Sequence, residues 1–272
     1  MTLRDNTPDH ALGQYRAWRA PCSPASALDL AWTNRARSDE PQPHRLLPHG
    51  EPSIAIVRRL GTDGSMSDID LLVCGPYHKT KFYAPERGEE LVAWRIKPEV
   101  AASLFGVSPF EYANTARASA PPHLKSACRR SLKFAERAPA GEIIRSLYLD
   151  LETYAEANAS NAGPECAAAQ RLRDEAGRIR FKHVADQLGV SERNLRRRFT
   201  EHVGLTPKSY SQQLQLTNAA LAAEKEAAPD WAEIAVSAGF HDQAHMINAF
   251  KAEISLTPTA FHAERRALRA AA

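Results

Sequence analysis

The chain has little cysteine, and what it has is scattered. Cys22, Cys74, Cys128 and Cys166 are the only four in 272 residues, and no pair is spaced C-x-x-C. That argues against a secreted disulfide scaffold and against a zinc site built from cysteine pairs; it predicts free thiols in a reducing compartment. Long hydrophobic runs are missing too, as no stretch approaches the roughly 18 apolar residues of a membrane helix. The N-terminal MTLRDNTPDHALGQYRAW has no apolar segment of the signal-peptide kind. A cytoplasmic protein without membrane contact is expected. Charge of one sign is also scarce: the net charge is +3, short of the strongly basic balance that announces a nucleic-acid module, so charge alone decides nothing. No G-x-S-x-G, phosphate loop or paired catalytic carboxylates appear, which points away from an enzyme and from a bound cofactor.

What is present divides the chain in two. Length allows about two domains, and 43% hydrophobic residues suffice for a core in each. The first forty or so residues are rich in Pro, Ser and charge, with apolar islands at Tyr15 to Trp18 and Leu28 to Trp32, and read as partly ordered. From His44 to Ile96, short apolar runs (Ser53 to Val57, Ile69 to Cys74, Lys81 to Ala84, Leu91 to Ile96) alternate with turn signals. This spacing predicts strands of a small barrel or sandwich.

Helical texture follows. Pro98 at a first helical position, closed by Gly106, predicts a short helix. Ser108-Pro109-Phe110-Glu111 reads as a capping-box start for another, and His123 to Arg137 carries Leu124, Cys128, Leu132 and Ala135 on one side. Gly141 to Ala157 shows the stripe Ile143, Ile144, Leu147, Leu151, Tyr154. That stripe either packs on its own sheet or makes a dimer helix, with Ile143, Leu147, Leu151 and Tyr154 as the seam. Asn158 to Pro164 reads as a linker, and everything after it is helical. The expected organisation is an α+β domain over 1–160 and an all-α domain over 165–272.

The second domain repeats itself. VADQLGVSERNLRRRFTEHVGLTPKSY from Val184 aligns with IAVSAGFHDQAHMINAFKAEISLTPTAF from Ile234, with one extra residue after the turn in the second copy. Val184-Ala185 matches Ile234-Ala235, and Gly189-Val190 matches Gly239-Phe240. Leu195 falls on Met246, Phe199 on Phe250, Thr206-Pro207 on Thr257-Pro258 and Tyr210 on Phe261. Each pair has a physical reason: a small Ala for close helix approach, a Gly for the turn, two apolar residues four apart facing the core, and a Thr-Pro start for the next helix. These are the parts of a helix-turn-helix, present twice. A linking helix from about Lys208 to Glu226 joins them, anchored by Leu214, Leu221 and Ala222, and Asp230-Trp-Ala-Glu233 resembles a capping box opening the second copy.

With Ile234-Ala235, Ala238-Gly239-Phe240, Asp242-Gln243, His245, Phe250-Lys251 and Thr257-Pro258 in the second copy, the sequence resembles the AraC/XylS family of bacterial transcription regulators. The first copy adds Ser191-Glu192-Arg193, Leu195, Arg197-Arg198-Phe199 and Gly204. The first domain more loosely resembles a cupin-like sensor domain, through His44 to Gly50, Gly75-Pro76, Ala93 to Pro98 and Leu104-Phe105-Gly106, though His49 stands where relatives tend to have an acid.

The resemblance implies promoter DNA and RNA polymerase as partners, a possible homodimer, and a small-molecule effector acting through dimer geometry or release of the DNA-binding half. It also implies that the second helix of each unit enters the major groove. The base-facing positions carry over to Arg193, Arg196 and Arg197 in the first copy, and to Gln243, Ala244, His245 and Asn248 in the second. Arginines suit guanine edges and phosphates, Gln and Asn suit adenine, and Ala can meet a thymine methyl. From Phe240 to Phe250 there is no Lys or Arg. Asn248 and Ser255 replace an Arg and a Gly common in relatives, and Gln212, Gln213 and Gln215 stand where relatives often have phosphate-binding arginines. The first unit should therefore dominate binding.

For an effector, a barrel interior with Tyr77, Phe82, Tyr83 and Trp94 is the expected pocket. A metal is not expected: His44, His49 and His78 lack a convincing third ligand, and His241 and His245 fit the DNA-facing helix better. Two rival readings of the first domain remain, a protein-interaction module without a small ligand and a metal-dependent cupin enzyme fused to the regulator.

Overall fold

The computed structural model describes residues 14–19, 26–35, 44–48, 50–61, 65–83, 86–115, 118–158 and 163–270. The sheet comes first. Its strands are β1 (Gln14–Arg19), β2 (Leu28–Arg35), β3 (His44–Leu46), β4 (Ser53–Leu60), β5 (Met66–Cys74), β6 (Lys81–Tyr83), β7 (Glu89–Ile96) and β8 (Ala118–Ser119). Six of them form one sheet in the order β1-β2-β7-β4-β5-β8, while β3 pairs only with β6. The pairings are antiparallel. The apolar island foreseen over Leu28 to Trp32 belongs to β2, a strand beside the central β7.

Alternation along the central strands gives the sheet two different faces. Ile54, Ile56, Leu71, Val73, Val92, Trp94 and Ile96 point to one side, where Leu104, Leu124, Ile143, Leu147 and Leu151 meet them. Ala55, Leu91 and Ala93 point to the other, against Trp32. Where a small barrel or sandwich was expected, the six-stranded sheet is open among the described residues. The pair β3·β6 is a separate ribbon that meets the C-terminal helices through Arg45 and the sheet through Tyr83.

The helices of the first half are α1 (Pro98–Phe105), α2 (Pro122–Ala127), α3 (Arg129–Phe134) and α4 (Ala140–Ala157). The helix foreseen from His123 to Arg137 is split into two at Cys128. That thiol is buried against the core, which pushes it up to about 12. The helix foreseen at Ser108 is a single 3-10 turn, Pro109–Tyr112. Ser108 Oγ accepts from the Phe110 backbone N–H there and also donates to the carbonyl of Glu201, far along the chain. A side chain shared with a distant element favours a turn over a continued helix.

The stripe on α4 faces inward. Ile143, Ile144, Leu147 and Leu151 are fully buried under the sheet, and Tyr154 packs at its margin beside His123. The dimer seam expected from Ile143, Leu147, Leu151 and Tyr154 is corrected accordingly, since these side chains already bury their apolar surface in their own domain. Trp94 belongs to the same core and donates its indole N–H to the carbonyl of Ile144 at 2.9 Å.

The C-terminal half contains α5 (Pro164–Asp174), α6 (Phe181–Gln187), α7 (Glu192–Val203), α8 (Pro207–Ala223), α9 (Trp231–Ser237), α10 (Gln243–Ile254) and α11 (Pro258–Ala270). It has two cores, one for each copy of the repeat. Val184, Ala185, Leu195, Phe199 and Tyr210 lie in the first, with Ala168, Ala169 and Leu172 of α5. Ile234, Ala235, Met246, Phe250 and Phe261 lie in the second. Every aligned apolar pair thus packs into the core of its own unit, with Val190 only half-buried. The helix α8 bridges them, with Tyr210 in the first core and Leu216, Ala219, Ala220 and Ala223 in the second. Leu221, expected as an anchor, is 47% exposed instead. No described helix is long and apolar enough to cross a membrane.

Candidate nucleic-acid interface

Each unit is a helix, a glycine turn and a second helix. The turns place Gly189 at φ 66° and Gly239 at φ 92°, a region open to glycine at little cost. Each second helix then starts on a side-chain cap. Ser191 Oγ accepts from the Asn194 N–H, and Asp242 accepts from the His245 N–H at 2.7 Å. The hydrogen bond from the His245 backbone, followed by that from His241, holds the Asp242 carboxyl below its ordinary range. The first helix of the second unit is capped by Asp230, which accepts from the N–H groups of Ala232 and Glu233.

With Leu195, Phe199 and Val203 buried, α7 turns Arg193, Arg196 and Arg197 outward. Arg196 pairs with Glu192 and lies over the Phe181 ring, and Arg197 pairs with Glu201 at 2.9 Å. Arg193 makes no ion pair among the described residues. Exposed i,i+4 pairs contribute only about 0.3–0.5 kcal/mol, so a phosphate or guanine can displace them. Arg198 points away from this face and pairs with Glu165 at 2.8 Å.

With Met246, Ala249 and Phe250 buried, α10 turns Gln243, Ala244, His245 and Asn248 outward. The His245 ring meets the edge of Phe240, 5.3 Å between centroids. Residues 181–203 hold five Lys and Arg against three Asp and Glu, a net charge of +2, whereas residues 231–254 hold one against three, a net charge of −2. Two units built on one plan thus differ by four charges.

The glutamines of α8 have another use. Gln213 is fully buried and donates to the His78 carbonyl and to Glu253. Gln215 donates at 3.1 Å to the carbonyls of Gly177 and Gly239, tying the two units together. Both side chains point into the protein.

The first half grips the second helix of each unit at its C-terminal end. Gly204, which closes α7, lies against Pro76 and the turn at Pro109 and Phe110. At the end of α10, the Thr80 N–H donates to Glu253 O at 2.7 Å, Arg45 donates to Ile254 O at 2.7 Å, and Arg45 pairs with Glu264 at 3.1 Å. Between these grips lies a buried charge cluster. Arg95 pairs with Glu51 at 2.8 Å and with Asp29 at 2.7 Å, and Arg173 pairs with Glu99. The Tyr210 hydroxyl donates to Glu51 at 3.4 Å. Burial pushes Glu51 up to about 7, opposed by Arg95 and reinforced by Asp29. Burial pushes Glu253 up to about 7 as well, opposed by the hydrogen bond from Gln213.

The expected effector aromatics are not brought together. Tyr77 is buried, Phe82 is 61% exposed beneath the Arg45 guanidinium, Tyr83 donates to Glu89 at 2.5 Å, and Trp94 fills the core behind the sheet. Alternation in β6 and β7 sends them to different sides, so they cannot line one pocket. A cavity of about 200 Å³ opens at the ends of β4, β5 and β7, lined by Val57, Arg58, Arg59, Asp68, Glu86 and Glu89. Of the histidines weighed for metal, His49 lies outside the described residues, and the backbone of His78 serves Gln213. One group of possible metal donors gathers elsewhere among the described residues, Glu165, Cys166 and His202. Sequence reasoning missed it because His202 lies 36 positions beyond Cys166 and on a separate helix.

Residues 184–264 match the model of a helix-turn-helix domain. No curated protein matches the chain. Among solved structures, ToxT from Vibrio cholerae is similar at 11% identity and a TM-score of 0.43, over 85% of this chain and 96% of its own. An apo variant of ToxT gives 9% identity and a TM-score of 0.45, over 95% and 98%. A transcriptional regulator with an AraC-type DNA-binding domain from Chromobacterium violaceum gives 22% identity and a TM-score of 0.34, over 38% of this chain and 91% of its own.

Proposed function

We propose that the chain, which carries a helix-turn-helix domain over residues 184–264, is a DNA-binding transcription regulator whose two units read promoter DNA unequally. The observation that carries this is the charge gap between two units of one plan, +2 against −2. Arg193, Arg196 and Arg197 on α7 supply fixed charge for phosphates and guanine edges. Gln243, Ala244, His245 and Asn248 on α10 supply hydrogen bonds and one methyl, with no fixed charge. The first unit therefore provides most of the affinity and its salt dependence. The second adds selectivity at a neighbouring major-groove site, about one helical turn away.

The residues over 1–160 form the module that controls this reading, with 165–272 as the module controlled. In support, the first half holds the C-terminal ends of α7 and α10 and leaves their exposed N-terminal halves uncovered. A small molecule or a second copy of the chain that shifts these grips would change the angle between the two reading helices.

Selection of bound sequences from random DNA by the full chain, followed by footprinting, tests the unequal reading. The expected result is one strongly fixed half-site and a neighbouring weak one. Two half-sites of equal information content would overturn it.

A further inference from the structure

The junction of α1, α5 and α7 brings four donor atoms together. Glu165 and Cys166 lie in the first turn of α5, His202 in the last turn of α7, and the Glu99 carbonyl in the first turn of α1. Cys166 Sγ is 3.3 Å from His202 Nε2 and 3.5 Å from the Glu99 carbonyl oxygen, and His202 Nε2 is 3.1 Å from that same oxygen. The Glu165, Cys166 and His202 donor atoms all lie within 4.8 Å of one another. Glu165 and Cys166 are buried. Glu165 Oε2 faces Arg198 Nε at 2.8 Å, yet is buried with no hydrogen bond of its own.

Zinc coordinated by one sulfur and lighter donors at about 2.0–2.3 Å has tetrahedral edges of about 3.6 Å for S···N and about 3.4 Å for N···O. The three measured edges come within a few tenths of an ångström of these values. Soft thiolate with imidazole and carboxylate is a donor set for zinc, whereas magnesium and calcium prefer all-oxygen sites. We propose that Glu165, Cys166, His202 and the Glu99 carbonyl form a closed structural site for a Zn²⁺ ion. The metal replaces the thiol proton of Cys166, which is released to solvent. Arg198 supports the ligating Glu165 from behind. Because the donors come from three helices, the ion pins the end of the first reading helix to α5 and to the first half of the chain.

The site is independent of the unequal reading of DNA and is tested without DNA. Metal-free full-length chain, kept reduced, is titrated with Co²⁺ as the probe. The expected result is one equivalent bound per chain, with a near-ultraviolet sulfur-to-cobalt charge-transfer band and the intense visible bands of tetrahedral cobalt. Cys166→Ser abolishes the charge-transfer band, and Glu165→Gln and His202→Gln each weaken binding at least about tenfold. The double variant His241→Asn, His245→Asn leaves the spectrum unchanged, which separates this site from the histidine pair on α10. Absence of the band in the unaltered chain, or its survival in Cys166→Ser, overturns the proposal. Should Cys166→Ser fail to fold, an unchanged cobalt affinity in His202→Gln overturns it equally.

Discussion

Arg197 and Asn248 occupy comparable outward positions on α7 and α10, yet they differ in charge and in partners. Arg197 is held by Glu201 and Asn194 on an exposed face. Removing it by Arg197→Ala should weaken specific binding by about 1–3 kcal/mol, and Asn248→Ala should cost less. Binding titrations on the selected site measure both, and the reverse order would show that α10 dominates. Introducing a cation by Asn248→Arg should tighten binding and steepen the dependence of log K on log salt by about 1. An unchanged slope in the same titrations would show that α10 lies off the phosphates. The identity of these residues was legible in the sequence, because the repeat fixes which side of each helix is buried. The turn of Arg198 to Glu165 was not, because Glu165 lies on another helix.

Helix ends carry the next level of argument. Where the first unit has Gly204 before Leu-Thr-Pro, the second has Ser255, and the structure puts it at φ 62° as the left-handed cap of α10. A non-glycine residue there is strained, while glycine costs more chain entropy on folding. Ser255→Gly should therefore stabilise the protein by about 0.5–1 kcal/mol, read as a raised denaturation midpoint. At the matching position of the first unit, Gly204 is at φ 85°, and an added Cβ would lie 2.8 Å from Pro76 and 3.0 Å from the backbone of Pro109. Gly204→Ala should cost about 1–3 kcal/mol in chemical denaturation. It should also speed proteolysis of the linker between the halves, since the clash falls on the grip itself. The two glycine turns and the helix starts were readable from sequence. The 3-10 turn at Pro109 and the break at Cys128 were not, because distant contacts set both.

At the scale of the whole molecule, the halves meet over a charge cluster that is acid in excess. Asp29, Glu51 and Glu99 share Arg95 and Arg173, with Tyr210 beside them. Three carboxyls against two guanidiniums leave one proton favoured, in keeping with Glu51 being pushed up to about 7 by burial. The unfolded chain releases that proton near the ordinary value of 4.5, so the folded chain holds more protons between about 4.5 and 7. Stability from this group is therefore present on the acid side and lost as pH rises through about 7, and Glu253 acts in the same direction. Unfolding free energies measured from about pH 5 to about pH 8 should fall across this window, and Glu51→Gln should make the fall shallower. Equal slopes in the two proteins would show that Glu51 stays ionised in the folded state.

The sequence by itself determined the two units, their cores, the outward side of each second helix and the sheet-then-helix order. These follow from short-range periodicity and from a repeat that states each buried position twice. It did not determine where side chains shared between distant segments would go. Only the tertiary structure decided that the α4 stripe serves its own sheet, that Tyr77, Phe82, Tyr83 and Trp94 part ways, and that Gln213 and Gln215 turn inward. Tertiary packing also placed Cys166 beside His202, and Arg95 between Asp29 and Glu51. The physical reason is that a local pattern fixes which face of an element is apolar, but not which distant surface will cover it.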